Sequence, residues 1–326
     1  MLKAFAYFWD DKPAADGIGV RTRYAQMLGH VAARFAPLDA VAGYDLMNEP
    51  NAYLTYEAKM VAMYADAIVA IRAAERAAGA PRRLVFFEPS IAWNLGVGLG
   101  IPVFAYDDQV VYAPHVYHPP AVFEALYASM RTDAAQFGGA PVVVGEWWCD
   151  PRNSDPICDQ EYALQNRFRT GETLWLWHSA CGDPHSAFNA RHGLPVGAGA
   201  YYEVDCITNK VTGVRVTFVR NHARPLLRAA AGRLDTISTD PTDLIASGTA
   251  DQSGREFVAF VPGTNPANPT QAAGDWRPLS ASGDAVQVIV AEGLFDLAIH
   301  PAPGGGWYVR GTAHQGAWQL HLRRAH

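Results

Sequence analysis

Two apolar runs, each leading to a glutamate, constrain most strongly how this chain can fold. Ala40-Val41-Ala42-Gly43-Tyr44 runs through Asp45-Leu46-Met47-Asn48 to Glu49 and Pro50, and Pro141-Val142-Val143-Val144-Gly145 runs to Glu146 and Trp147. Short continuous apolar runs bounded by turn residues read as strands buried on both faces, as in a parallel sheet covered by helices. Each carboxylate then stands where a strand leaves the sheet.

Helical patterns separate the strand candidates. They cover Gly19 to Phe35, ending near Pro37, then Tyr56 to Ala78, closed by Gly79 and Pro81, and stretches near 120–136 and 159–170. Further strands are expected at Arg83 to Phe87, Gln109 to Ala113 and Thr173 to Trp177, with Ser90 to Asp108 irregular. Such alternation implies helical crossovers between parallel strands, hence a barrel or a doubly wound sheet. Beyond Gly232 the texture changes to short alternating segments, Glu256 to Val261, Val286 to Val290, Trp307 to Arg310 and Trp318 to Leu322, divided by Gly, Pro and Asn. These read as a small antiparallel sandwich. The expected architecture is α/β, of the (β/α)8 barrel type, with residues 1–232 supplying about five of the eight strands and residues 233–326 a C-terminal β-sandwich.

A chain of 326 residues with 49% hydrophobic side chains can bury a core of that size. The net charge of -6 and the lack of a long Lys/Arg run argue against nucleic acid as a partner and favour neutral ligands. Gly96, Gly98 and Gly100 have G-x-G-x-G spacing with no strand leading into them, which does not match a phosphate loop.

No stretch approaches a membrane span, and Met1 to Phe5 lacks the basic region, apolar core and cleavage site of a signal peptide. The cysteines Cys149, Cys158, Cys181 and Cys206 have no zinc spacing. Of the three pairings that four cysteines allow, Cys149 with Cys158 and Cys181 with Cys206 is favoured over the others and over free thiols. That pairing implies an oxidising compartment. A secreted or extracytoplasmic location is therefore expected, with the true start upstream of Met1.

Two carboxyls on separate strands meet the requirement of glycosidic bond cleavage: one protonates the departing oxygen while the other attacks the anomeric carbon or directs water at it. No metal or cofactor is needed. Side chains alternate along a strand, so Glu146 shares a face with Val142 and Val144, and His115 shares a side with Tyr117 after the strand ending near Ala113. A Tyr117 hydroxyl donating to Glu146 would hold that carboxylate ionised and aimed; otherwise His115 is a cap and Tyr117 a packed ring. Asn48 suits a hydrogen bond to the sugar hydroxyl beside the reacting carbon, or a turn cap. Glu88 ends a strand and suits either a substrate contact or tuning of Glu49, whereas Asp45 reads as structural. Trp175 and Trp177 share a strand face, and an indole offers a flat apolar plate for a sugar ring.

At these residues the chain resembles glycoside hydrolase family 5, the cellulase-like clan of barrels. The family's Asn-Glu-Pro falls on Asn48, Glu49 and Pro50, its His-x-Tyr on His115 and Tyr117, its second Glu on Glu146 and its last-strand Trp on Trp175. Gly43 to Pro50, Phe8-Trp9, Cys181 to His185 and the sandwich are similar to the endoglycoceramidase-related branch, whose members cut the bond between a glycan and ceramide or a related lipid. The resemblance covers most of residues 5–232. It implies retention of configuration, with Glu49 as acid/base, its pKa raised, and Glu146 as nucleophile. It also implies that three barrel strands of the family lie before the Phe8-Trp9 segment, so that this chain is expected to be N-terminally incomplete.

The expected function is hydrolysis of a glycolipid or oligosaccharide by a monomer, with contact to a membrane surface as a further expectation. The apolar residues Ile91, Trp93, Leu95, Val97 and Leu99 offer a place for a lipid tail. Two other readings stand beside it. One is a cellulase-like polysaccharide hydrolase; the other is a non-catalytic remnant that binds glycan or lipid surfaces through Trp147, Trp148, Trp175 and Trp177.

Overall fold

A computed structural model of the protein describes residues 2–94, 100–117, 120–148, 156–175, 202–205, 208, 210–214, 222–263, 286–302 and 306–324. Cys149, Cys181, Cys206, Trp177, Leu95, Val97 and Leu99 lie outside the described residues, and the expected cysteine pairing lies there with them. The chain divides into two compact units, Met1–Trp147 with Thr170–Thr173, and Trp148–Arg169 with Leu174–His326.

The first unit starts with α1 (Leu2–Trp9) and α2 (Val20–Phe35) and continues as β1 (Gly43–Asp45), α3 (Tyr53–Ala77), β2 (Leu84–Phe87), α4 (Ile91–Asn94), β3 (Val110–Tyr112), β4 (His115–Val116), α5 (Phe123–Ala135) and β5 (Val143–Trp147). Strands β1, β2 and β3 are parallel neighbours in chain order. A parallel bridge from Tyr112 to Val142 and the parallel pairing of β4 with β5 carry the arrangement onward. β6 (Gly171–Leu174) is the next neighbour of β5.

These are the five expected strand positions with helices between them. Pro114, which has no N–H to donate, divides the third position into β3 and β4, while its carbonyl still accepts the Gly145 N–H at 3.0 Å. β6 begins two residues earlier than expected and ends before Trp175, because Gly171 pairs backbone to backbone with Val142.

The apolar runs are buried as their pattern requires: Val85, Phe87, Val110, Val111, Tyr112, Val142 and Val144 are all 3% exposed or less. An aromatic cluster of Tyr64, Phe87, Phe104, Tyr112 and Phe137 packs edge-on and tilted between the sheet and the helices. Trp93 belongs to this core, at 4% exposure and edge-on to Tyr112, so it is not available to a lipid tail. Among the described residues no helix is long and apolar enough to cross a membrane.

In the second unit, α6 (Pro156–Phe168) and a hairpin of β7 (Tyr202–Asp205) and β8 (Lys210–Val214) precede the sandwich. The sandwich comprises β9 (Leu226–Ala229), β10 (Arg233–Thr239), β11 (Asp243–Ala250), β12 (Arg255–Val261), β13 (Val286–Glu292), β14 (Leu294–Pro301), β15 (Trp307–Ala313) and β16 (Gly316–Arg324). Two four-stranded sheets, ordered β10-β11-β16-β13 and β14-β15-β12-β9, face each other across a core that includes Leu244, Phe257, Val309, Trp318 and Leu322. β9 lies before residue 233 and is already paired with β12 in this sandwich.

Candidate active site

The first unit brings Glu49, Glu88, His115, Tyr117 and Glu146 together. His115 and Glu146 are register partners on adjacent parallel strands, so their side chains leave the sheet at the same level. Gly145 makes this approach feasible: a Cβ there would stand 3.0 Å from the Ala113 carbonyl oxygen and 3.0 Å from His115 Cδ2.

Glu49 follows β1 on a turn tied down from several sides. Leu46 N–H donates to Phe86 O at 3.0 Å, Tyr24 OH donates to Leu46 O at 2.9 Å, and Ile91 N–H donates to Pro50 O at 3.0 Å. The buried Trp9 donates its indole N–H to Asn51 O at 2.8 Å. The Asp45 carboxylate accepts the Met47 N–H at 3.3 Å, the structural role expected for it. Glu49 itself has φ of 43°, in the left-handed region. For a residue with a Cβ this costs roughly 1–3 kcal/mol and persists only where the surroundings enforce it. The enforcing contact is the Glu88 carboxylate, whose Oε2 accepts the Glu49 N–H at 2.9 Å.

His115, 2% exposed, is held between carboxyls. Its Nδ1 lies 2.9 Å from Glu49 Oε1 and 3.5 Å from Glu146 Oε2. Its Nε2 lies 3.2 Å from Glu88 Oε1, close enough for an ion pair but off the line of a good hydrogen bond. Burial alone would lower the imidazole pKa, but the hydrogen bond to Glu49 and the neighbouring carboxylates of Glu88 and Glu146 outweigh it and push the pKa up to about 10. Burial pushes Glu88 up to about 7, against the opposing pull of His115.

The Tyr117 hydroxyl donates to Glu146 Oε2 at 2.7 Å, and its pKa is raised, first by burial and then by that carboxylate. The donor atoms of Glu49, His115 and Glu146 all lie within 4.8 Å of one another. A metal ion at that spacing would take the Nδ1 side of the imidazole and displace its hydrogen bond to Glu49, leaving Glu88 at Nε2.

Other expected site residues fall as follows. Asn48 is exposed beside Glu49. Glu88 is 0% exposed and turns both oxygens on protein groups, so a substrate contact is replaced by action on Glu49 and His115. Trp175 is half-buried just past β6. Trp147 is 0% exposed, which removes it from an indole platform, while Trp148 is 36% exposed. The hold of Trp9 on the Glu49 turn is not visible in the sequence, where Trp9 enters only through the family resemblance. The signal available was a tryptophan at the end of a helical run, and its partner, the Asn51 carbonyl, is 42 residues away.

Parallel strands of a barrel ending on two carboxyls less than 5 Å apart define a glycoside hydrolase type of site. Residues 6–180, more than half of the chain, match the model of the cellulase family, glycosyl hydrolase family 5, and the chain belongs to that family. Among solved structures, an endogalactoceramidase is 28% identical with a TM-score of 0.71, over 97% of this chain and 64% of that one. Endo-glycoceramidase II from Rhodococcus sp. is 22% identical with a TM-score of 0.66, over 100% of this chain and 69% of that one, which shows the shared fold. The chain thus spans a little under two thirds of the length of the endogalactoceramidase. No protein of curated function matches it.

Proposed function

We propose that the chain carries the catalytic pair of a retaining β-glycosidase that hydrolyses the bond between a glycan and a lipid. Glu146 attacks the anomeric carbon, and Glu49 protonates the leaving oxygen and then activates water against the glycosyl-enzyme. The observation that carries this reading is the spacing of the pair. Retaining enzymes hold their carboxyls about 5–5.5 Å apart and inverting ones about 6.5–9.5 Å apart; here one carboxylate oxygen of Glu49 lies within 4.8 Å of one of Glu146, a close approach that favours the retaining arrangement. The Tyr117 hydrogen bond suits Glu146 to the nucleophile's role, because it stabilises the ionised carboxylate.

A glycolipid substrate is supported by the likeness to an endogalactoceramidase at 28% identity. Exposed Asn48 suits a contact to the sugar, and Trp175 suits a stacking plate. A secreted or extracytoplasmic enzyme, acting as a monomer at a lipid surface, completes the proposal, and the disulfide-bonded state of Cys158 supports an oxidising location. With Trp147 buried, a purely binding role loses one of its four platform residues.

The test is hydrolysis of a fluorescent glycosylceramide and of aryl β-glycosides. Glu146→Gln should abolish turnover on every substrate. Glu49→Gln should lose about 10²–10⁴-fold on the ceramide substrate, the range for a general acid, and much less on aryl glycosides with good leaving groups. Equal losses for Glu49→Gln on both substrate types would sink the assigned roles.

A further inference from the structure

We propose that Glu88 is the positioning residue for the acid/base, clamping Glu49 through its backbone with one oxygen and through His115 with the other. The inference rests on the function proposed above for Glu49.

The geometry is that of a buried relay. Glu88 stands one residue past β2, 0% exposed, with its own carbonyl held by the Tyr64 hydroxyl at 3.0 Å. Its Oε2 takes the N–H of Glu49 at 2.9 Å and so holds the left-handed turn. Its Oε1 lies 3.2 Å from His115 Nε2, while Nδ1 across the same ring lies 2.9 Å from Glu49 Oε1. Both ends of the acid/base therefore trace back to one carboxylate.

The charge pattern gives this clamp a chemical consequence. Carboxylates on both ring nitrogens favour the doubly protonated imidazole, because each nitrogen faces an acceptor. The groups facing Glu88 and His115 include Glu49, Glu146 and Asp45, all acidic, with Tyr64 and Tyr117, and these carboxylates outweigh the burial that disfavours the imidazolium. An Nδ1–H that donates to Glu49 Oε1 occupies that oxygen as an acceptor. The transferable proton of Glu49 is then carried on Oε2, and Glu49 stays within reach of a fixed positive charge when it gives the proton up.

Glu88→Gln separates the two functions of the carboxylate. The amide oxygen can still accept the Glu49 N–H, but the amide NH₂ now faces His115 Nε2 and requires a lone pair there, so the ring becomes neutral. In ¹⁵N spectra of the full chain, with His115 assigned by its loss in His115→Asn, wild-type protein at pH 8 should show both ring nitrogens protonated. Glu88→Gln should show only one, with little change in melting temperature. In kinetics on aryl β-glycosides, Glu88→Gln should move the basic limb of kcat/KM upward by roughly one pH unit or more, since Glu49 loses a cation that favours its ionised form. It should also slow poor leaving groups more than good ones.

A wild-type His115 that is neutral at pH 8 would overturn the proposal, as would a Glu88→Gln protein whose imidazole is still doubly protonated or whose pH profile is unmoved. If Glu88→Gln does not fold, the titration midpoint of His115 in the wild-type chain decides instead: near 10 supports the clamp, below 7 refutes it. Wild-type protein that hydrolyses no aryl glycoside would count against the proposed function, and the imidazole spectra would still decide the role of Glu88.

Discussion

Glu49 is an acidic residue in a left-handed backbone conformation, held there by a second acidic residue. That contact lies between residues 39 positions apart, so sequence periodicity cannot show it. What the sequence does show is the residue types at the strand ends: Glu49, Glu88, His115, Tyr117 and Glu146 were all singled out by type and place. What it does not show is burial. Of the two roles open to Glu88, a substrate contact or tuning of Glu49, full burial favours the second, and Trp147, expected on a platform, is fully buried as well. A glutamate and a tryptophan next to a strand end look the same in sequence whether they face solvent or the layer beneath. The imidazole makes a stability prediction at this scale. His115 has a folded pKa of about 10 against an ordinary 6.5, so the imidazolium contributes stability that is fully present below pH 6.5 and is lost as pH rises through about 10. Urea unfolding should show the wild-type advantage over His115→Gln shrinking between those limits, and an advantage that grows with pH would reverse the assignment.

At the scale of elements, α2 shows how a helix start can be satisfied from a distance. Its N-cap position is Gly19, which offers no side-chain oxygen. Asp11 does so instead: Oδ1 accepts the N–H groups of both Arg21 and Thr22 at 2.9 Å, and Oδ2 accepts the Thr22 hydroxyl at 2.6 Å. These hydrogen bonds outweigh desolvation and hold the Asp11 carboxyl below its ordinary pKa. Gly19 is needed because a Cβ there would fall 2.1 Å from Asp11 Oδ1. Asp11→Ala should cost about 1–2 kcal/mol. Amide exchange at Arg21 and Thr22 should accelerate by about 5–30-fold, and unchanged exchange would mean that water caps the helix equally well. The long helices α2, α3, α5 and α6 were legible because their apolar spacing and closing Gly or Pro are local signals. α1 was not anticipated: eight residues at the start of the chain carry no cap signature, and the helix is fixed by burial of Trp9. β9, β10, β11 and β14 were likewise missed. Polar runs such as Arg233–Thr239 become strands because partners supply their ladders.

At the scale of the molecule, each of the two units has a core of its own, and the C-terminal one centres on Trp318. Its indole N–H donates to Ala231 O at 2.8 Å, and its ring lies over Gly248, where a Cβ would come within 2.4 Å of ring carbon Cζ2. Trp318→Ala should cost the sandwich about 3–5 kcal/mol. Scanning calorimetry should show a lowered transition for the C-terminal unit; because the chain has two units, the trace is not treated as a single two-state transition. An unshifted trace would show that the cavity collapses without penalty. The sequence by itself determined the alternation of strands and helices, the change to an antiparallel sandwich and the strand-end carboxylates. All of these follow from local periodicity and from burial of apolar runs. Only the tertiary structure decided which carboxylates approach within 5 Å, which one lies buried beneath the pair, and that His115 joins them. The physical reason is that strand register and the meeting of side chains from separate βα units are set by packing between residues tens of positions apart, and no local pattern encodes that.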